Sequence, residues 1–426
     1  MMASLDRKET IAGHVAATAD GETIVEEILR FNADRRRALV KLKMKRMAAS
    51  AFAFFRGTDH LFARQWPDFK PTDVGPALLL CGDLHLENFG AQRCGDGVLR
   101  YDINDFDEAA VAPASFDLVR CAASTLLAAE EWQLSSVPAT TILWAFLDSY
   151  RGVITATAAT GQPAEATRDC AAGSIAKLLG AAALGTQQEL LAKKTKINKD
   201  GQRRIIRSDD KHPAVEEPVA AQVAQAVEEF GAARDQAKQY KVWDVTERVA
   251  GIGSLGVPRY LVLVAGSKEA GGNQLLDVKE QRSSSIRAVA LGPQPDYGGD
   301  EAQRVVAAQR QLQACPPEPL AAISIGRGRY RLREMVPEEN RSGLDRLAEK
   351  PKRLREAVEW AGRLTGWAHW RGLSAGHCDC SELVDWATGP GLEAAVPAAI
   401  RCAAQAVADY KVFAAAYQDG LRIPKN

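Results

Sequence analysis

Cys81-Gly-Asp-Leu-His-Leu-Glu-Asn-Phe-Gly90 is the most informative segment of this 426-residue chain. The short apolar run Pro76–Cys81 leads into it and is typical of a β-strand, so the polar residues that follow predict a loop at the strand's end. A second short run, Val98–Ile103, ends at Asn104-Asp105-Phe-Asp107-Glu108. The sequence therefore predicts two neighbouring strands whose ends carry carboxylates and amides.

The spacing of these polar residues fits one kind of chemistry. Asp83 and Asn88 lie five residues apart, and Asp105 follows seventeen residues after Asn88. Phosphoryl transfer needs a carboxylate that orients and deprotonates a hydroxyl, and Mg²⁺ prefers hard oxygen ligands such as Asn and Asp side chains. The alternative interpretation is an acidic loop that is stabilised by an Asx turn.

A glycine-rich segment, Gly251-Ile-Gly-Ser-Leu-Gly256, is the second feature that indicates a function. A dinucleotide-binding motif would be followed by a helix, whereas Arg259–Ala265 has the composition of a strand. A glycine turn between antiparallel strands is typical of the loop that covers nucleotide phosphates in kinases. The residues expected to contact a nucleotide here are Gly251, Gly253, Ser254 and Gly256.

Lys279 lies in an apolar strand, 23 residues after Gly256. A lysine in such a strand needs a partner, and nucleotide phosphates are one candidate. The alternative is an edge-strand lysine whose ammonium group reaches solvent.

Together these segments resemble the aminoglycoside-phosphotransferase-like and choline-kinase-like branch of the protein kinase-like superfamily. The motifs that carry the resemblance are Gly82-Asp-Leu-His-x-x-Asn88, Asp105-Phe-Asp107 and Ser115-Phe-Asp117-Leu118. The resemblance implies that Asp83 is the catalytic base and that Asn88 and Asp105 bind Mg²⁺. It also implies that Asp117 braces the catalytic loop and that Lys279 belongs to the catalytic set.

The resemblance assigns further roles. Tyr330–Val336 is similar to the hinge strand, which implies that adenine binds near Glu334 and Val336. Glu301 is the nearest candidate for the acidic partner of Lys279, because Glu280 points to the opposite face of the strand. His85 is expected to shape the catalytic loop, with Asp107 in a supporting role. Arg56 is expected to hold a phosphate or acidic group, or to pair with a carboxylate.

The order of these segments differs from that of an ordinary kinase. The glycine-rich segment, Lys279 and a helix similar to the one that normally precedes the catalytic loop, Trp360–Trp370, all follow that loop here. The resemblance therefore implies a circular permutation, which a fold tolerates when the cut lies in a surface loop. The whole pattern, over about residues 44–420, also resembles the bacterial domain-of-unknown-function family 2252.

We therefore expect an α+β, two-lobed, protein kinase-like and circularly permuted fold. Residues 1–240 and 337–426 would form the helical lobe, and residues 241–336 the β-rich nucleotide lobe between them. The expected function is ATP- and Mg-dependent transfer of the γ-phosphoryl group to a hydroxyl, with a small molecule as the acceptor. The alternatives are an AMP-transferring enzyme and a nucleotide-binding pseudokinase that acts through partners.

Composition excludes several other classes of protein. Fifty-four basic and fifty-four acidic residues cancel, so we expect no nucleic-acid partner. No apolar run approaches the roughly 20 residues of a membrane helix, and no secretory signal is visible. Eight cysteines without a CxxC pair predict reduced thiols and a cytoplasmic protein. The basic run from Arg35 to Arg46 predicts a solvated helix face or an anion-facing surface.

Overall fold

The computed structural model describes residues 22–134, 138–267, 272–335, 351–376 and 378–424. The helices are α1 (Ile24–Phe31), α2 (Arg37–Met47), α3 (Ala51–Gly57), α4 (Asp59–Phe69), α5 (Ala114–Glu131), α6 (Ala139–Thr160), α7 (Gly173–Leu184), α8 (Gln187–Lys194), α9 (Glu217–Ala232), α10 (Glu301–Leu312), α11 (Pro351–Gly372), α12 (Cys380–Thr388), α13 (Pro390–Glu393) and α14 (Ala395–Gln418).

The strands are β1 (Ala77–Leu80), β2 (Phe89–Arg93), β3 (Leu99–Ile103), β4 (Ala110–Pro113), β5 (Thr195–Ile197), β6 (Arg203–Ile205), β7 (Val242–Glu247), β8 (Arg259–Val264), β9 (Gln274–Glu280), β10 (Leu320–Ile325) and β11 (Gly328–Glu334). The chain is thus a mixed α+β protein, as expected. Among the described ranges, none of the helices combines the length and the apolar character that crossing a bilayer requires.

The largest sheet has five antiparallel strands in the order β10-β11-β9-β8-β7. Side chains alternate between its two faces, so Leu276 and Val278 of β9 point to one face while Asp277 and Lys279 point to the other. The first face packs against Val227 and neighbouring side chains of α9. The β-rich lobe was expected to begin at residue 241. The sheet also packs against α9, which lies before that boundary.

Helices α3–α7 and α10–α14 and two small strand pairs surround the largest apolar cluster. β1 pairs with β4, and β2 pairs with β3, so the loops after β1 and β3 lie beside each other. α11 packs along α6, and α14 packs along α5. Helices from the two ends of the chain thus share one core.

The contact between α6 and α11 depends on two glycines. A Cβ on Gly362 would lie 2.2 Å from the backbone oxygen of Phe146, and one on Gly366 would lie 2.4 Å from a side-chain carbon of Val153. The helices are therefore too close for any larger side chain at these positions.

We predict that Gly362→Ala lowers the free energy of unfolding by about 1–3 kcal/mol, because the added methyl group must push the two helices apart. Gly152→Ala in α6 is the matched control, since nothing lies within 4 Å of its Cβ position. That substitution should raise the stability by about 0.5–1 kcal/mol through helix propensity. Urea unfolding of both variants measures the difference, and equal stabilisation by the two would contradict the close helix contact.

Candidate functional site

A cavity of about 260 Å³ lies between the five-stranded sheet and the loops after β1 and β3. It brings together sequence positions that are almost 200 residues apart, such as Asp83 and Lys279. The sequence-predicted residues that line it are Arg56, Asp83, His85, Asn88, Asp105, Asp107, Gly251, Gly253, Ser254 and Lys279.

Asp117 holds the start of the loop that carries Asp83. Its fully buried carboxylate accepts hydrogen bonds from the backbone N–H groups of Cys81 and Gly82, both at 2.9 Å. Gly82 has a φ of +89°, and a Cβ there would lie 2.3 Å from the backbone oxygen of Glu108. Asp117 therefore holds the backbone at the start of this loop.

Two further contacts shape the loop. The Nδ2 of Asn88 donates to the backbone oxygen of Asp83 at 2.5 Å, which leaves Oδ1 as the atom of this amide that could bind a metal ion. The Nδ1 of His85 accepts from the backbone N–H of Glu87 at 3.2 Å and caps the short 3₁₀ helix Leu86–Asn88. His85 therefore shapes the loop, as expected, and burial holds its pKa well below the usual value.

Asp83 is paired with Arg120, a residue that the sequence did not identify. The Nε of Arg120 donates to Oδ1 of Asp83 at 2.5 Å, and the guanidinium lies over the rings of Phe55 and Phe62. Burial raises the pKa of Asp83 to about 7; Arg120 opposes this rise, and Asp59 and Asp105 add to it. A carboxyl with this pKa can accept a proton near neutral pH.

Lys279 reaches across the cavity and forms an ion pair with Asp107. Its side chain is 5% exposed, so this pairing compensates a nearly buried charge. Arg331 also approaches Asp107, at 3.4 Å, and together with Lys279 it holds the pKa of that carboxyl well below its usual value despite the burial of Asp107. The solvated edge-strand alternative for Lys279 is wrong.

Glu301 is not the partner of Lys279, and that expectation is wrong. Its carboxylate instead receives Arg304 at 2.6 Å and Arg287 at 2.7 Å, and it lines a second cavity. Arg304 is the side chain of α10 that points to the loop after β3, where it donates to the backbone oxygens of Asp107 and Ala109. The helix thus presents an arginine where the resemblance implied a glutamate.

Two other expected nucleotide contacts, Gly256 and Glu334, lie outside the cavity lining. Gly256 has a φ of +90°, and a Cβ there would lie 2.8 Å from Cβ of Arg35, so the glycine is needed for packing. Glu334 is absent from the cavity lining, because it lies opposite Leu276 of β9 and points to the other face of the sheet from Arg333. Val336 lies outside the described residues.

Arg56 forms an ion pair with Glu87 at the cavity wall, which fits the carboxylate-pairing interpretation of this residue. The basic run is solvated at Arg36, Lys41 and Lys45, but not along its whole length. Arg35 and Lys43 are buried, and both donate to the backbone oxygen of Gly253, at 2.6 and 3.1 Å. The N-terminal helices therefore hold the glycine-rich segment in place.

Sequence analysis missed several charged residues that line the cavity. Asp59 and Glu108 add carboxylates, and Arg248, Arg259 and Arg333 add cations on the side of the sheet. Asp277 could have indicated these cations. It lies two residues before Lys279 on the same face of β9, and a carboxylate in an apolar strand needs buried cations around it.

Nearly the whole lining of the cavity falls within a part of the sequence that matches a known family. A family model described as an uncharacterized protein conserved in bacteria (DUF2252) matches residues 35–416. This chain belongs to the DUF2252 family. The matched region of the DUF2252 chain contains every cavity-lining residue except Phe31. Neither the comparison with curated proteins nor that with solved structures found a match.

We predict that the Asp83 carboxyl makes the stability of the fold depend on pH. Its folded pKa of about 7 is above the ordinary value of 3.8, so its contribution is full below about pH 4 and is lost as the pH rises towards 7. Relative to Asp83→Asn, the wild type should lose up to about 4 kcal/mol between pH 4 and pH 8, because each pH unit corresponds to about 1.4 kcal/mol. Urea unfolding of both proteins across this range measures it, and a pH-independent difference would contradict the raised pKa.

Proposed function

We propose that the cavity is the active site of an ATP- and Mg²⁺-dependent transferase that moves a phosphorus-containing group to a hydroxyl of a small molecule. The observation that carries the proposal is the meeting of two distant sets of residues. Asp83, Asn88 and Asp105 line one side of the cavity, while Lys279 and the segment Gly251–Ser254 line the other. The resemblance favours the γ-phosphoryl group as the group transferred.

The residues have distinct tasks in this proposal. Asp83 accepts the proton of the acceptor hydroxyl, and Arg120 fixes the orientation of its carboxylate. Asn88 and Asp105 would hold Mg²⁺, which supplies positive charge beside the phosphates when bound. Lys279 gives the phosphates a cation, and the backbone of Gly251–Ser254 allows close approach of their oxygens.

Two alternatives use the same site. An AMP-transferring enzyme would need the same base and metal ligands but would release pyrophosphate. A pseudokinase would bind nucleotide and act through partners without turnover. Incubation with a mixture of hydroxyl-bearing metabolites and ATP labelled at the α- or the γ-phosphate separates these functions, because the label that enters an acid-stable product identifies the transferred group.

We predict that Asp83→Asn lowers turnover by about 10²–10⁴-fold while Mg-ATP binding is retained, because the variant lacks only the proton acceptor. Asp105→Asn should weaken binding of ATP in the presence of Mg²⁺ and leave metal-free binding nearly unchanged. Asp68→Asn, at an exposed position of α4 outside the cavity lining, is the control and should behave as the wild type.

Calorimetric titration and a thermal-shift assay measure the binding. At 100 times the Kd, Mg-ATP should stabilise the wild type by about 2.7 kcal/mol. Absence of any response to Mg-ATP would remove the proposed function, and full turnover in Asp83→Asn would remove the proposed base.

A further inference from the structure

The side of the cavity formed by the sheet carries an unusual group of charges around Asp277. This carboxylate is fully buried and receives both Nε and an Nη of Arg259, at 2.7 and 2.6 Å. Arg248 approaches it at 2.8 Å and Arg333 at 3.6 Å. We call Arg248, Arg259 and Arg333 the arginine cluster; all three line the cavity.

Positive charge exceeds negative charge at this end of the cavity. Arg259 and Arg333 share Asp277, and the adjacent Lys279 and Arg331 share Asp107. Arg248 also pairs with Asp277, and Asp105 adds a third negative charge near Arg259 and Arg333, so five cations meet three carboxylates. Each of these five side chains is at most 14% exposed. Buried cations in excess are costly unless an anion compensates them.

Burial and the crowding of positive charges both lower the pKa of one of these arginines, Arg333. Burial lowers the pKa of Arg333 to about 9, and the neighbouring guanidinium groups of Arg331 and Arg259 add to this effect, while Asp277 opposes it. A bound anion would reduce the repulsion between these cations. Arginine-lined sites for phosphate groups work in this way.

The cavity has little room for a nucleobase beyond the arginine cluster. On the same face of the sheet, the neighbouring side chains form an apolar cluster with residues of α8 and β6, in which each member is at most 5% exposed. Its members are Leu190, Leu191, Ile205, Leu261, Leu263, Leu275 and Met335. This packing occupies the space beside Met335, close to where the resemblance placed adenine. The more exposed part of the cavity lining lies elsewhere, at Glu87 and Arg282, whose side chains are 30% and 32% exposed.

We propose that the arginine cluster binds the terminal phosphate of a nucleoside triphosphate, which enters the cavity with its phosphate end first and leaves its base towards the mouth. This inference rests on the proposed function and specifies how the donor lies in that site. The charges, the burial and the closed apolar end all favour the same orientation.

The orientation selects the group that is transferred. Arg333 donates to the backbone oxygen of Asn104 at 3.2 Å, and the Asn104 N–H donates to the backbone oxygen of Asn88 at 2.7 Å. Asp105, the next residue, therefore lies between the arginine cluster and the loop that carries Asp83. A terminal phosphate in the arginine cluster is therefore separated from Asp83 by the proposed metal ligand, and an inner phosphate faces the acceptor. The acceptor oxygen then bonds to the α-phosphorus, the bond from that phosphorus to the bridging oxygen breaks, and pyrophosphate leaves. Asp83 takes the hydroxyl proton, and the product carries AMP.

The test uses inorganic pyrophosphate with Mg²⁺ as the probe, titrated calorimetrically into the full chain. Arg248→Gln and Arg333→Gln should each weaken pyrophosphate binding by at least about tenfold, because each removes a charged hydrogen-bond donor. Arg333→Lys should recover part of the loss. Arg329→Gln is the matched control on the same strand, since its side chain is 44% exposed and lies outside the cavity lining. Circular dichroism shows whether each variant is folded. If Arg333→Gln does not fold, Arg248→Gln alone tests the inference.

The outcomes separate this inference from the proposed function. Weaker pyrophosphate binding in the variants, with the α-label in the product, supports the inference. Unchanged pyrophosphate affinity in folded variants, or transfer of the γ-label, overturns the inference and leaves an ATP-dependent transferase. Failure of the wild type to bind Mg-ATP at all overturns both.

Discussion

The ion pair between Lys279 and Asp107 is the interaction on which the site depends. Lys279 is nearly buried on the inner face of the five-stranded sheet, and Asp107 follows β3 among the loops opposite. Breaking such a pair would leave a buried charge without compensation, so the sheet and the loops are held face to face. That constraint places the glycine-rich segment near Asp83, Asn88 and Asp105 and closes one cavity between them.

Much of this site could be predicted from the sequence, because its motifs are short and their chemistry is local. Asp83, Asn88 and Asp105 follow strand ends, where polar side chains gather at one edge. Asp117 sits at a helix start, and Lys279 interrupts an apolar strand, so each stands out from its neighbours. These positions needed only recognition of strands, loops and residue types.

The partners of these residues could not be predicted in the same way. Which side chain of α10 meets the loops depends on the rotation of the helix, and the packing selects Arg304 instead of Glu301. The periodicity of the N-terminal helices shows a stripe of cations but not what covers it, so the contacts of Arg35 and Lys43 with Gly253 were missed. The arginine cluster combines three separate strand ends, and no local pattern brings them together.

A crystal structure with Mg²⁺ and a non-hydrolysable ATP analogue tests the central claim most directly. We expect electron density for a metal ion between Asn88 and Asp105, and for a phosphate chain between that ion and the side chain of Lys279. A nucleotide bound at another surface, with Lys279 and Asp107 unchanged and no ligand in the cavity, would contradict it.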